Sequence, residues 1–348
     1  MSTMVDQDSR SKSSRSVAVV GAGAWGSTLA ILATEAGHRV TLVARTTESA
    51  KFLDTHRLHP VSLPGVSIPT DIRIAEVEKC DLGSVDVVVL AIPTQKLRGS
   101  LEELAESLRG KPILSAAKGL EVETLLRPSA VIRSVLSRDT LVAVLSGPNL
   151  STEIAAGHPA ATVIASDIPG LAETLVDIFH SQRFRVYVSD DLIGVELGGA
   201  LKNIIAIGAG IADGLEAGDN AKAAFMTRGI AEIARLGVAS GAQPLTFAGL
   251  SGIGDLIATC SSRLSRNHRV GFALASGTSL DVILASMTEV AEGIATTRAA
   301  RALGLAHGVD LPIVDQMHRV LFESVSPVDA MRRLMEREPT REPLDSGQ

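Results

Sequence analysis

Short apolar runs separated by helix-length intervals characterise the first half of the chain. The runs lie at 17–20, 39–44, 72–75, 86–92, 112–116, 141–145, 161–165 and 184–188. Intervals such as 95–108 and 128–136 are long enough for helices, and this alternation is typical of crossovers between parallel strands. The pattern predicts an α/β domain with a doubly wound parallel sheet over residues 16–189.

The pattern changes near residue 190, where β-branched runs stop and Ala-rich segments at helical spacing follow. These segments lie at 195–212, 221–239, 270–275, 291–306 and 313–322. We therefore expect an all-helical second domain over residues 190–335. Residues 1–15 and 336–348 are polar, and we predict a disordered and a flexible tail respectively.

The start of the chain also resembles a secretory signal peptide, because three basic residues precede an apolar run at 17–33. Glycines interrupt this run, and its first half has the β-branched composition of a buried strand. We interpret the segment as strand, turn and helix. No other stretch reaches the length of a membrane span without a charge, so we predict none.

Composition narrows the class of protein further. Of 348 residues 45% are hydrophobic, and 33 basic against 39 acidic residues give a net charge of −6, which disfavours nucleic-acid binding. Cys80 and Cys260 have no metal-ligand spacing and provide no disulfide framework, so we expect no metal site and a cytoplasmic protein. Glycines within Ala-rich helices suit close helix packing and are compatible with a homodimer.

A glycine-rich turn follows the first predicted strand. Its sequence, Gly21-Ala22-Gly23-Ala24-Trp25-Gly26, has the G-x-G-x-x-G spacing directly before a predicted helix. In this context the glycines allow a tight turn, approach of a pyrophosphate and close helix packing, which predicts a Rossmann-like dinucleotide site. A turn that binds no ligand is the structural alternative.

The second strand ends at a residue that bears on cofactor choice. An acidic residue there would bind the ribose of NAD, but no Asp or Glu occurs from residue 37 to 47, and Arg45 stands at the strand end. A guanidinium group suits a 2′-phosphate, so we predict that NADP is accepted as well as NAD. A solvated arginine is the alternative.

A lysine lies within the most apolar predicted helix. Burial disfavours the charged form of an amine, so Lys202 is a candidate to exchange protons near neutral pH. The alternatives are a lysine that reaches solvent or one that pairs with Glu196. The neighbouring Gly198 and Gly199 suggest that a ligand or another backbone comes close.

Three further segments supply polar groups at predicted strand or helix ends. Lys118 follows the strand 112–116, and Gly147 with Asn149 follows the strand 141–145, both at the edge where α/β sheets bind ligands. A third segment, 249–256, contains Asp255 and leads to Ser265-Arg266-Asn267, a combination that suits a phosphate. Each segment by itself is more often an ordinary turn or helix cap than a binding site.

Together these motifs resemble NAD(P)-dependent glycerol-3-phosphate dehydrogenases of the bacterial soluble type, over residues 17–322. Besides those above, the resemblance is carried by segments 91–95, 118–121, 146–148, 196–203, 218–222, 227–229, 252–256 and 292–293. It departs at Asn149-Leu150, where the family usually has Ser or Thr and then Phe, and at Ala117, where a threonine is common.

The resemblance implies reversible reduction of dihydroxyacetone phosphate to sn-glycerol 3-phosphate, which supplies glycerophospholipid synthesis. By position, Lys202 is the implied catalytic lysine. Implied substrate-binding residues are Lys118, Gly147, Asn149, Asp255, Ser265, Arg266 and Asn267. Implied dinucleotide-binding residues are Gly21, Gly23, Ala24, Trp25, Gly26, Arg45, Lys118, Ser151, Arg266, Val290 and Glu292. The competing hypotheses are a related reductase of hydroxy acids or sugar acid phosphates, and a non-catalytic NADP sensor.

Overall fold

The computed structural model describes residues 13–59, 62–287 and 289–338. Most of each predicted tail, residues 1–12 and 339–348, lies outside these residues. The strands are β1 Ser16–Val20, β2 Arg39–Ala44, β3 Leu58–His59, β4 Leu63–Ser67, β5 Arg73–Glu76, β6 Val87–Leu90, β7 Ile113–Ser115, β8 Val142–Ser146, β9 Ala160–Ala165 and β10 Phe184–Ser189. The helices among them are α1 Ala24–Glu35, α2 Thr47–His56, α3 Thr94–Leu108, α4 Pro128–Val135, α5 Ser151–Ala155 and α6 Leu171–Val176.

Eight strands form one sheet in the order β10-β9-β8-β7-β6-β1-β2-β5, and β3 pairs with β4 in a separate hairpin. The chain leaves β1 for β2 and β5 on one side and then crosses to β6, β7 and β8 on the other. The carboxyl ends of β1 and β6 therefore flank the point where the strand order reverses, which is where such sheets bind ligands.

Both faces of this sheet are buried, which explains the uninterrupted apolar runs. Val17 and Val19 of β1 pack into one hydrophobic layer, while Ala18 and Val20 pack into the other. Alternate residues of a strand point to opposite faces, so a strand covered on both sides must be apolar throughout. The doubly wound fold class is confirmed.

One pair of strands departs from the predicted parallel sheet, because β8 and β9 are antiparallel, with Leu145 opposite Ile164. The connecting helix α5 has five residues and rises about 7.5 Å, less than the roughly 17 Å length of β8. The chain therefore does not return to the starting edge before β9 begins. The strand β10 then pairs with β9 in parallel.

Within the described part of residues 190–338, every element is helical, which confirms the predicted class of the second half. The long helices are α7 Leu192–Gly214, α8 Asp219–Ala239, α9 Asp255–Ser261, α10 Arg266–Ala275, α11 Leu280–Ser286, α12 Glu292–His307, α13 Pro312–Phe322 and α14 Pro327–Met335. A π-helical turn, Leu250–Gly254, precedes α9. The last strand ends at Ser189 and α7 begins at Leu192, beside the domain boundary that we predict at residue 190.

The helix α7 is the centre of the second half. It packs against α8, α9, α10, α12 and the strand β8, which accounts for its apolar character on all sides. Among the described residues it is the one helix long and apolar enough to span a membrane, and 94% of its most apolar window is buried inside the protein. Burial of this kind is also what the core helix of a globular protein shows.

Candidate active site

The glycine-rich turn has the geometry that its spacing predicts. Gly21 has a φ of +108°, and a Cβ there would lie 2.4 Å from the carbonyl oxygen of Ala91 at the end of β6. A Cβ on Gly26 would lie 1.8 Å from the carbonyl oxygen of Gly21, so α1 packs directly on the turn. Gly23 faces open space and begins α1 without a side-chain cap, which leaves its first N–H groups available to an anion.

The other residues predicted to bind a dinucleotide lie along the same edge of the sheet. Arg45 is exposed at the carboxyl end of β2. Ser151 begins α5, and its carbonyl oxygen accepts a hydrogen bond from Thr28 of α1 at 3.3 Å. Trp25 is half-buried in the first turn of α1, and its Nε1 has no hydrogen-bond partner among the described residues.

Glu292 reaches this edge from the second half of the chain. Its Oε1 accepts a hydrogen bond from the backbone N–H of Thr94, 2.9 Å away at the start of α3. Its Oε2 is buried and has no partner among the described residues. Burial raises the pKa of Glu292 to about 7, against the opposing effect of the Thr94 N–H. Val290, two residues earlier, is exposed.

These observations show that the residues present fit a dinucleotide. The turn offers free N–H groups beside open space. Two buried polar atoms, Trp25 Nε1 and Glu292 Oε2, have no hydrogen-bond partner among the described residues. Native proteins pair nearly all such atoms, so unpaired ones indicate a ligand or water.

The buried lysine of α7 belongs to a cluster of charged groups. Lys202 Nζ lies 2.9 Å from Asp255 Oδ1 and donates a hydrogen bond to Thr259 Oγ1 at 2.5 Å. Lys118 Nζ lies 2.7 Å from the other oxygen of Asp255 and donates to the carbonyl oxygen of Gly147 at 2.8 Å. One carboxylate from α9 thus joins an ammonium group of each half of the chain.

The charges of this cluster shift its pKa values in opposite directions. Burial opposes ionisation of Asp255, but the ammonium groups of Lys118 and Lys202 outweigh it and hold the pKa of Asp255 below its usual value. Burial, together with the charge of Lys202, lowers the pKa of Lys118 to about 8 although Asp255 acts against this. Lys118 therefore changes charge close to neutral pH.

The structure decides between the alternatives for Lys202. The lysine is 6% exposed, so it does not reach bulk solvent. Pairing with Glu196 is wrong, because that carboxylate bonds Arg127 and accepts hydrogen bonds from the N–H and hydroxyl of Ser129 at 2.8 and 2.6 Å. Glu196 instead joins α7 to the start of α4 in the sheet half.

Gly198 and Gly199 do permit a close approach, as we expect from the sequence. A Cβ on Gly198 would lie 2.6 Å from the carbonyl oxygen of Ser251 in the π-helical turn. A Cβ on Gly199 would lie 2.3 Å from Ser146 Oγ at the end of β8. The two glycines therefore bring the end of the sheet and the turn before Asp255 against the helix that carries Lys202.

The predicted phosphate-binding residues lie at the start of α10. Ser265 caps the helix by accepting the N–H of His268 at 3.2 Å. Arg266 is the first helical residue and its side chain is 40% exposed, with Nε 3.9 Å from Glu289. The side chain of Asn267 is buried, donating to Asn203 Oδ1 at 2.9 Å and accepting from the N–H of Gly293 at 3.0 Å.

Asn149, at one of the two departures from the family pattern, lies near the end of β8. Its Nδ2 donates to Thr162 Oγ1 at 3.1 Å, and its buried Oδ1 has no partner among the described residues. The preceding Gly147 has a φ of +152° and its carbonyl oxygen binds Lys118, so only a residue without a side chain fits easily there.

Contacts connect most of the predicted residues into one region, whereas Arg45 lies apart at the end of β2. Two residues of this region, Thr259 and Thr94, are not among the site residues that the sequence predicts. Thr259 follows Asp255 by four residues and donates to its carboxylate at 3.2 Å, and an i, i+4 pair on one helix face is a signal that the sequence carries. No local sequence pattern marks Thr94 as a partner of Glu292, because the two residues lie 198 positions apart in the chain.

A dinucleotide-binding sheet whose edge meets buried lysines and a carboxylate from a helical half is the arrangement of a two-domain, nicotinamide-dependent oxidoreductase. Comparison with known proteins is more specific. The protein-family model for the N-terminus of NAD-dependent glycerol-3-phosphate dehydrogenase matches residues 16–172. The family model for the C-terminus of the same enzyme matches residues 191–332. The chain belongs to the NAD-dependent glycerol-3-phosphate dehydrogenase family.

Individual relatives agree with this assignment. The chain is 47% identical to a glycerol-3-phosphate dehydrogenase [NAD(P)+] of Pelotomaculum thermopropionicum over 330 residues, 94% of each chain. A glycerol-3-phosphate dehydrogenase structure from Coxiella burnetii is 33% identical with a TM-score of 0.88, covering 93% of this chain and 99% of that one. The corresponding structure from Saccharomyces cerevisiae is 26% identical with a TM-score of 0.78, covering 93% and 100%.

Proposed function

We propose that this chain catalyses the reversible NAD(P)-dependent reduction of dihydroxyacetone phosphate to sn-glycerol 3-phosphate, with Lys202 as the general acid and base. Membership of the dehydrogenase family supports the reaction. The observation that carries the mechanism is the contact of Asp255 with both Lys202 and Lys118 at the carboxyl edge of the sheet.

The bound nicotinamide supplies the hydride for the reduction. As the ketone is reduced, negative charge develops on its oxygen, and the site must supply a proton there. An ammonium group has three donors, and Lys202 uses two on Thr259 and Asp255. The third remains for the substrate oxygen. In the reverse direction the neutral amine of Lys202 accepts the proton of the alcohol.

Lys118 and Asp255 adjust the charge around this oxygen. The second ammonium group favours negative charge on the substrate, and two of its three donors are held by Gly147 and Asp255. Asp255 fixes both lysines and partly balances their charge, which limits their mutual repulsion. The hydroxyl of Thr259 accepts a hydrogen bond from Lys202 and donates one to Asp255, so it helps to fix the position of the Lys202 ammonium group beside Asp255.

The substrate phosphate binds at the start of α10 in this proposal. Helix N-termini attract anions, and the free N–H groups of Arg266 and Asn267 lie beside the exposed guanidinium group of Arg266. The buried side chain of Asn267 orients this turn against α7. Binding energy from the phosphate then orients the ketone, so its loss lowers turnover as well as affinity. Asn149 Oδ1 is available to accept a substrate hydroxyl.

The dinucleotide lies along the sheet edge. Gly21, Gly23, Ala24 and Gly26 form the turn that binds the pyrophosphate. Trp25, Lys118, Ser151, Arg266, Val290 and Glu292 line the remainder of the dinucleotide. The guanidinium group of Arg45 would donate hydrogen bonds to the 2′-phosphate of NADP, so we expect the protein to use NADP as well as NAD.

We further propose that the protein acts in the cytoplasm, as a homodimer, and supplies glycerophospholipid synthesis. The free cysteines Cys80 and Cys260 agree with a reducing compartment. The product of the reaction is the backbone precursor of glycerophospholipids, and family membership supports this place in metabolism.

Initial rates with dihydroxyacetone phosphate, measured side by side with NADH and NADPH, test the function directly. We expect turnover with both cofactors. A preference for a 2-oxo carboxylate over dihydroxyacetone phosphate would instead favour a hydroxy-acid reductase. Tight NADPH binding without turnover of any ketone or alcohol would favour a non-catalytic sensor.

A further inference from the structure

A contact between a buried histidine and a half-buried carboxylate joins α10 to α7 at a point that the mechanism does not use. His268, two residues after Arg266, is 5% exposed, and its Nε2 lies 2.7 Å from Asp213 Oδ2 near the end of α7. The same oxygen lies 2.6 Å from Lys222 Nζ of α8. Burial opposes the charge of Asp213, but Lys222 and His268 hold its pKa below the usual value, so the acceptor is a carboxylate.

The two helices touch through their backbones beside this pair. A Cβ on Gly210 would lie 2.0 Å from the carbonyl oxygen of His268, and a Cβ on Gly271 would lie 1.8 Å from that of Ile207. These glycines remove the side chains that normally interlock packed helices. The contact fixes how near α10 comes to α7. Apolar side chains such as Val270 pack beside it, and directed polar contacts would add resistance to rotation of one helix on the other.

Two adjacent side chains of α10 supply that resistance. Asn267 reaches Asn203, while His268 reaches Asp213. The partners are ten residues apart on α7, about 15 Å along its axis, and Gly210 lies between them. Bonds on both sides of the glycine contact prevent the first turn of α10 from rotating about it.

We propose that the His268–Asp213 pair is a positioning device that fixes the phosphate-binding turn of α10 relative to Lys202. The inference rests on the proposed function, since Arg266 at this turn holds the substrate phosphate and Lys202 meets the ketone oxygen. The pair sets the span between these two groups. A three-carbon phosphorylated ketone must match this span, and small displacements are costly for a substrate held at both ends.

The experiment compares His268→Ala, His268→Gln and wild type. For His268→Ala we expect the KM for dihydroxyacetone phosphate to rise at least about tenfold, because one of the two bonds that orient the turn is lost. The slow turnover of unphosphorylated dihydroxyacetone should stay within about twofold of wild type, because that ketone has no phosphate for the turn to bind. His268→Gln keeps an N–H donor at the end of its side chain and should restore most of the affinity.

His318→Ala is the matched control. That histidine also contacts a carboxylate, with Nδ1 3.1 Å from Glu323, but it lies on α13 away from the phosphate-binding turn. Its loss should leave the KM for dihydroxyacetone phosphate and the turnover of unphosphorylated dihydroxyacetone unchanged. Calorimetric titration of NADPH-loaded protein with sn-glycerol 3-phosphate, a reduced cofactor and a reduced substrate that cannot react with each other, gives the same comparison without turnover.

An unchanged KM for dihydroxyacetone phosphate in His268→Ala overturns the proposal, as does an equal loss of kcat/KM for the phosphorylated and unphosphorylated ketones. Should His268→Ala fail to fold, Asp213→Asn takes its place under the same criteria. Wild-type protein without turnover of dihydroxyacetone phosphate contradicts the proposed function itself. Normal wild-type turnover with unchanged KM in the variants contradicts the positioning role alone.

Discussion

Asp255 is the residue on which the charges of the site depend. It is 1% exposed, yet it stays ionised because each of its oxygens contacts an ammonium group. A buried carboxylate with one partner removed would leave the other charge uncompensated, which costs several kcal/mol. The pair of lysines and the carboxylate therefore act as a unit.

Replacing this carboxylate should change the pH dependence of the reaction. Because the pKa of Lys118 is lowered to about 8, we expect wild-type kcat/KM to fall as pH rises above that value. Asp255 opposes this lowering, so Asp255→Asn should move the alkaline limb to lower pH by about one unit or more. A pH profile of kcat/KM measures this, with Asp54→Asn at an exposed position as control. An unmoved limb would show that Asp255 does not set the charge of Lys118.

The residue pattern by itself pointed to Lys202 but not to Asp255 as its partner, which entered only through the family resemblance. The lysine is conspicuous because it interrupts an apolar helix, and Glu196 on the same helix was the natural partner to consider. The actual partner, Asp255, lies 53 residues further along the chain, on another helix. His268 likewise gave no signal, because its contact with Asp213 arises from the crossing of two helices.

At the level of elements, the turn before α1 illustrates how a glycine can serve a ligand rather than the fold. Gly23 has a φ of −80° and faces open space, so alanine is compatible with the folded chain. Gly23→Ala should leave thermal stability nearly unchanged but weaken NADPH binding at least about tenfold, because a methyl group occupies the path of the pyrophosphate.

The matched control for this variant is Gly99→Ala. Gly99 is exposed inside α3 with nothing within 4 Å of its Cβ position, and alanine there should stabilise the protein by about 0.5–1 kcal/mol without changing NADPH binding. Calorimetry and thermal melts measure both effects. Equal NADPH affinity in Gly23→Ala and wild type would remove the turn from the proposed binding site.

The helix α13 begins at a buried carboxylate. Glu232 of α8 accepts the N–H groups of Ile313 and Val314 at 2.8 and 3.3 Å. Burial nevertheless raises the pKa of Glu232 to about 7. Since this is above the value in the unfolded chain, the folded state binds the proton more tightly, and the resulting stability is complete below pH 4.5 and is lost as pH rises through 7.

We therefore expect the free energy of unfolding to fall between pH 5 and pH 8, with Glu232 contributing up to about 3 kcal/mol of the change. Glu232→Gln keeps an acceptor for the N–H groups and removes the titration, so the variant should be less sensitive to pH and more stable than wild type at pH 8. Urea denaturation at both pH values decides this. A parallel pH dependence in the variant would contradict the role of Glu232.

The fold shows the same limit of sequence reasoning. Apolar runs located every strand of the large sheet. The central strands are apolar throughout because both of their faces are buried, whereas the edge strands β5 and β10 are partly exposed. Their direction depends on the length of the connections, and the short helix α5 reverses β9 and β10 against expectation. The short hairpin β3–β4 was missed, since its strands have two and five residues with little apolar pattern.

Across the whole molecule, the two halves contribute different properties to one reaction. In the proposed function the glycine-rich turn and Arg45 belong to the sheet half, whereas Lys202, Asp255 and Arg266 belong to helices α7, α9 and α10. Cofactor choice should therefore be separable from substrate chemistry. This separation follows from the strand order, in which β1 and β6 lie between β2, which ends just before Arg45, and β7, which precedes Lys118.

Arg45→Ala tests this separation. Loss of the guanidinium group should raise the KM for NADPH about tenfold or more while the KM for NADH and for dihydroxyacetone phosphate changes little, because only NADPH carries the 2′-phosphate. Steady-state kinetics with the two cofactors measures the ratio. An equal effect on NADH and NADPH would mean that Arg45 is an ordinary solvated side chain.

The measurement that most directly tests the account is turnover of dihydroxyacetone phosphate by Lys202→Ala, alongside its affinity for NADPH. Without its general acid the variant should lose at least about a hundredfold in kcat while it binds NADPH as tightly as wild type. Turnover close to that of wild type would contradict the assignment of Lys202 as the residue that moves the proton.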